Sequence, residues 1–184
     1  MKHSKTIKLT LSAMFLALGF VLPFFTGQIP QIGNMLLPMH LPVLLCGLIC
    51  GWQYGLVIGL CLPLVRSMIF GMPPIFPTGI AMTFELAAYG LIIGLVYQVA
   101  RQKNTLSVYR ALIIAMIGGI IWGIVRVLLT GVGSQAFTWH LFLEGALLTA
   151  IPGIILQLIL IPVLMAALTR SGLLPLEKAQ AVKG

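Results

Sequence analysis

Two of the chain's three acidic residues, Glu85 and Glu144, lie inside long apolar stretches, and so do two arginines, Arg66 and Arg126. An ionisable side chain within a stretch long enough to span a bilayer is expensive to bury, so each such position is a functional hypothesis by default. A carboxylate can take a hydrogen bond from a ring N–H or an amine, while arginine or histidine can face a hydroxyl. His40, His140, Asn34, Tyr89 and Trp139 add donors, acceptors and aromatic faces near the same positions. This is chemistry suited to binding a small polar molecule.

The bland reading of these charges is that two arginines and two glutamates neutralise one another as buried ion pairs that fix helix register. A catalytic alternative is an intramembrane enzyme working through His40 and Glu85. No reaction signature accompanies them: the chain has no GxxxxGK[ST] phosphate loop, no HExxH, no GxSxG and no defensible Ser/His/Asp grouping. The thiols Cys46, Cys50 and Cys61 all fall in apolar stretches, where cysteine behaves as a small hydrophobe. Cys46 and Cys50 share a helix face, yet no further ligands complete a metal set.

The elements that must position these groups follow from composition. The 184 residues are 60% hydrophobic and 8% charged, and their mean hydropathy is +1.11. A soluble domain carries about a quarter charged residues, so the chain reads as an all-α integral membrane protein, and soluble enzymes and nucleic-acid binders are excluded. A net charge of +8 reflects a shortage of acids as much as a surplus of bases.

A helix needs about 20 apolar residues to cross a bilayer. Cutting the sequence at its polar and Pro/Gly-rich breaks predicts six transmembrane helices in a single domain, over about 7–26, 35–50, 53–70, 78–99, 109–130 and 139–169. A seventh crossing is the less economical reading. The last stretch is long enough to tilt, or to bend at Pro152 or Pro162.

Lys2, Lys5 and Lys8 precede the first span, Arg101, Lys103 and Arg110 surround the break after the fourth, and Arg170, Lys178 and Lys183 follow the last. Positive residues stay inside, which places both termini in the cytoplasm and requires an even number of spans. The first apolar segment therefore reads as a span and not as a cleaved signal.

With this orientation Arg66 lies about four residues, or about 6 Å, below the outer end of its span. Arg126, Glu85, Glu144 and His40 count to the same outer third. The inner halves hold uncharged polar side chains such as Gln98 and Gln157. The pattern is a cup open to the outside and not a continuous polar path, which counts against a stand-alone secondary transporter or channel. The absence of an internal repeat points the same way.

Two outer loops border the cup. The first, 27–34, is polar and proline-bearing; the second, 71–77 (GMPPIFP), combines a glycine with Pro73, Pro74 and Pro77 and with the apolar Met72, Ile75 and Phe76. Prolines restrict this loop, and its apolar side chains suit either a lid over the cup or an interfacial anchor. Small residues recur at four-residue spacing, at Ala13 and Ala17, Gly47 and Gly51, Gly55 and Gly59, Gly90 and Gly94, and Gly119 and Gly123. Such pairs allow close helix crossings.

The stretches GNMLLPMHLPVLLCGLICGW (33–52) and RSMIFGMPPIFPTGIAMTFELAAYG (66–90), with the Ala13–Ala17 AxxxA pair, carry a family likeness over essentially the whole chain. The chain resembles the substrate-binding S component of an energy-coupling factor (ECF) vitamin transporter. The resemblance implies a multi-pass subunit of the bacterial cytoplasmic membrane that captures a water-soluble vitamin from outside. It implies docking on a transmembrane coupling subunit served by two ATPase subunits, toppling to release cargo, and Ala13 and Ala17 on the docking face. ATP would be used by those partners, with no cofactor or metal on this chain and membrane lipid around it. Under this reading Asn34, His40, Arg66, Glu85, Tyr89, Arg126, Trp139, His140 and Glu144 line the pocket, and Met72, Pro73, Pro74 and Phe76 form the lid. Pyridoxine or hydroxymethylpyrimidine leads as ligand and pantothenate follows, whose carboxylate would occupy an arginine but leave Glu85 without a role.

Overall fold

A computed structural model describes residues 5–25, 37–100, 105–116 and 151–171. Among them six α-helices follow in order: α1 Lys5–Phe25, α2 His40–Cys50, α3 Trp52–Phe70, α4 Ile80–Val99, α5 Thr105–Met116 and α6 Ile151–Arg170. A kinked turn, Ile75–Gly79, in which Phe76 is extended (φ −117°, ψ 137°), leads into α4. Helices α1, α3, α4 and α6 are long and apolar enough to cross a membrane, and α2 and α5 are shorter apolar helices. The all-helical build has a direct cause: lipid offers backbone amides and carbonyls no partner, and a helix satisfies them within one segment.

Helix α2 is apolar on every side, the pattern of a helix surrounded by others. All of its residues except Leu41 are buried, and it packs against α1, α3, α4 and α6. Val43, Leu44 and Cys46 join Leu62 of α3, Leu86 and Ile93 of α4, Leu112 of α5 and Ile161 of α6 in one core. The helix begins at His40, later than the 35–50 span anticipates, after a turn in which Leu37 takes a left-handed φ of 49° and its carbonyl accepts from the His40 amide at 3.0 Å. Eleven residues at about 1.5 Å each give roughly 16 Å, half of a hydrocarbon core about 30 Å thick. His40 thus opens α2 and stands level with Glu85 of α4, which it meets at 3.3 Å.

A single residue joins α2 to α3. Gly51 has φ 105°, a conformation that L side chains avoid, and it turns the chain directly into Trp52. Helices α3 and α4 then cross backbone to backbone. A methyl group built on Gly55 would lie 2.6 Å from the Gly90 carbonyl oxygen and 2.9 Å from Gly47 Cα. On Gly59 it would strike the Leu86 carbonyl, and on Gly94 the Trp52 backbone. The small-residue pairs of α3 and α4 therefore serve packing inside the bundle, as small-xxx-small faces do in membranes.

Helix α1 lies differently. Only Ser12, Gly19 and Pro23 are buried along it, and a methyl on Gly19 would press on Leu62 at 2.6 Å. Leu11, Phe15, Leu16 and Phe20 pack against the core, whereas Leu9, Met14, Leu18 and Val21 are exposed, and so are Ala13 and Ala17.

Candidate functional site

Residues Glu85 and Tyr89 stand one turn apart on α4, a spacing that puts both side chains on one helix face. That face meets the start of α2. His40 Nε2 lies 3.3 Å from Glu85 Oε1, and the His40 ring meets Tyr89 edge to face, with centroids 5.2 Å apart and planes at 70°. His40 is 1% exposed, while the Glu85 side chain keeps 13% of its surface open.

An ionised Glu85 accepts from the Nε2–H of His40, and in the neutral ring Nδ1 is then the acceptor. His40 Nδ1 is buried and has no partner among the described residues. The pair thus presents a tautomer held by a carboxylate on one side and an open hydrogen-bonding position on the other. The His40 bond also shows how Glu85 is accommodated within the bundle, since a polar group there needs a hydrogen-bonded partner.

Arg66 belongs to a different cluster. It is 3% exposed, its Nη1 donates to the Phe20 carbonyl of α1 at 2.8 Å, and its guanidinium lies 5.2 Å from the ring centroids of both Phe24 and Phe70. Those two rings meet edge to face at 5.1 Å. Among the described residues Glu85 is hydrogen-bonded to His40, and Arg66 joins the C-terminal ends of α1 and α3 through a carbonyl and two aromatic faces. Its charge is met by ring quadrupoles.

The next residue holds the loop above. Gly71, at φ 69°, ends α3 in a left-handed cap with its amide on the Ser67 carbonyl. The Ser67 hydroxyl donates to the Pro73 carbonyl at 2.6 Å, after a cis Met72–Pro73 bond. The Gly79 amide donates to the Pro74 carbonyl at 2.8 Å, and the Thr83 hydroxyl donates to the Gly79 carbonyl, also at 2.8 Å. Met72 and Pro73 are half-buried and Pro74 is exposed. Ile75 and Phe76 leave about half of their surface open.

The structure thus brings together His40, Glu85 and Tyr89, and separately ties Arg66 to α1 and Ser67 to the loop 71–77. Asn34, Arg126, Trp139, His140, Glu144 and the first outer loop, 27–34, lie outside the described residues. Sequence reading missed the roles of Phe20, Phe24, Phe70 and Ser67. Only the adjacency of Ser67 to a buried arginine hinted at the last, and the aromatic cradle joins residues more than forty positions apart.

The sequence model of one protein family, described as the substrate-specific component of the ECF transporter, matches residues 7–165. The chain belongs to this family. No curated protein and no solved structure is matched. Membership makes the chain a membrane-embedded transport subunit of an ECF importer, responsible for substrate specificity and not an enzyme. For an ECF substrate-specific component, the buried His40–Glu85–Tyr89 group supplies the kind of polar contacts, within an apolar surround, from which small-molecule sites are built. The exposed small-residue face of α1 is likewise available to a neighbouring helix.

Proposed function

We propose that this ECF component captures a water-soluble vitamin or vitamin precursor at the outer side of the bacterial cytoplasmic membrane, with pyridoxine or hydroxymethylpyrimidine as the favoured cargo. The single observation that carries the reading is the buried His40–Glu85 pair with Nδ1 open and Tyr89 against the ring. A small heterocycle with donors and acceptors answers that set. Pantothenate is the weaker fit, because Arg66 is already engaged by the Phe20 carbonyl and two aromatic rings.

Six spans with both termini cytoplasmic are the topology on this reading. Asn34, Arg126, Trp139, His140 and Glu144 complete the pocket, Arg66 borders it, and Met72, Pro73, Pro74 and Phe76 form its lid. Ala13 and Ala17, exposed on α1, form the face that docks the transmembrane coupling subunit. Two ATPase subunits of the assembly hydrolyse the ATP, and this chain carries no cofactor of its own.

The test is to purify the chain alone in detergent, release any bound small molecule with denaturant, and identify it by mass spectrometry. A stoichiometric pyridine or pyrimidine alcohol is the expected result. A different cargo replaces this one, and uptake by the chain alone in vesicles, without ATPases, would overturn the reading.

A further inference from the structure

Among the described residues, two buried side-chain atoms have no hydrogen-bond partner: His40 Nδ1 and Gln157 Nε2. A polar group taken out of water without a partner is expensive, and more so in lipid. Native proteins keep few of them, and each calls for an explanation.

Gln157 is 4% exposed and belongs to the buried stripe of α6, where Gly153, Gln157, Ile161 and Met165 recur every four residues. Ile161 and Met165 enter the same core as Val43 and Cys46 of α2, and α6 touches α2. Both unpartnered atoms thus belong to helices that meet in one core.

We propose that Gln157 is a substrate contact, and that the part of the substrate reaching it and His40 is an uncharged group that both donates and accepts hydrogen bonds. The inference rests on the capture reading above. The Gln157 amide N–H asks for an acceptor, and His40 Nδ1, with Nε2–H held by Glu85, asks for a donor. The ring nitrogen and hydroxyl of a pyridine or pyrimidine alcohol supply both. A carboxylate placed there would face the Glu85 carboxylate across a low-dielectric site, while Arg66 is held by Phe20, Phe24 and Phe70.

Gln157→Leu removes the amide at nearly constant volume, and two measurements on it test the inference. In thermal melting of the washed, empty protein in detergent, the variant melts at or slightly above the wild type, because an unpaired buried amide has been replaced by an apolar group. A fall of several degrees means that the amide already has a partner in the empty protein, and overturns the inference.

The second measurement is calorimetric titration with pyridoxine, hydroxymethylpyrimidine and pantothenate, with Glu85→Gln run in parallel. Gln157→Leu lowers affinity for the heterocycle that the wild type binds by roughly tenfold or more. Unchanged affinity in Gln157→Leu beside a loss in Glu85→Gln overturns the Gln157 contact and leaves the capture site standing. Wild-type binding of pantothenate but of neither heterocycle overturns the uncharged class. Binding of none of the three overturns the heterocycle reading and this inference with it.

Discussion

The crossing of α3 and α4 fixes where Glu85 and Tyr89 stand, so a single methyl group at that crossing should disturb both folding and binding. In Gly55→Ala the new methyl would lie 2.6 Å from the Gly90 carbonyl oxygen. Ordinary contact begins at about 3.5 Å, so the backbones must part by about 0.9 Å. Overpacking of this kind costs about 1–3 kcal/mol, and the better helix propensity of alanine returns up to about 1 kcal/mol. The net loss is at most about 3 kcal/mol and centres on about 1.5 kcal/mol, a fall in Tm of roughly 3–6 °C for a chain of this size. Glu85 lies five residues before Gly90 on α4, and its 3.3 Å approach to His40 has little room to lengthen before it ceases to be a hydrogen bond.

Scanning fluorimetry of the detergent-solubilised protein measures the first effect, and calorimetric titration with the vitamin the second. Gly90→Ala drives its methyl into the Gly55 carbonyl from the other side, so once one methyl has separated the helices the second finds space. The double variant should therefore lose less than the two single losses combined. Wild-type melting of both single variants, or a double variant whose loss equals that combined value, would refute the close-crossing argument.

Glu85→Gln and His40→Ala should each weaken vitamin binding by roughly tenfold or more, through loss of a charge-assisted bond and of the tautomer it fixes, while size-exclusion profiles stay unchanged; full affinity in both would remove the pair from the site. Ala13→Trp or Ala17→Trp should abolish uptake in vesicles containing the whole ECF assembly and spare binding by the isolated chain, because both positions are exposed on α1 and a large side chain blocks close helix approach; unchanged uptake would move the docking face elsewhere. Arg66→Met, which keeps length but loses the Phe20 bond and both cation–π contacts, should lower stability by about 2–4 kcal/mol, read by melting; unaltered melting with lost affinity would return Arg66 to the ligand. Ser67→Ala should free the loop at Pro73 and speed ligand dissociation in stopped-flow, and an unchanged off-rate would mean that this loop does not gate the pocket.

The sequence by itself determined that this chain is a helical membrane protein, since 60% hydrophobic and 8% charged residues admit no water-soluble surface. It also marked His40, Arg66 and Glu85 as unusual, because charge within an apolar stretch is visible without coordinates. Family membership was legible in its motifs, and the matched residues 7–165 agree with that resemblance. Helix periodicity gives height along each span but not which neighbour a side chain faces. For that reason Arg66 and Glu85, counted to one level, proved to have different partners: Glu85 meets His40 across the α2–α4 contact, and Arg66 reaches the Phe20 carbonyl across α1 and α3. Tertiary structure alone decided where α2 begins, because that depends on a turn at Leu37 that no hydropathy count registers. It alone decided which small residues pack and which stay open, since Gly55 and Gly90 share a backbone contact while Ala13 and Ala17 share the same spacing and remain exposed. The partners of a buried polar group are set by helix azimuth and lateral neighbours, and both are properties of the assembled bundle.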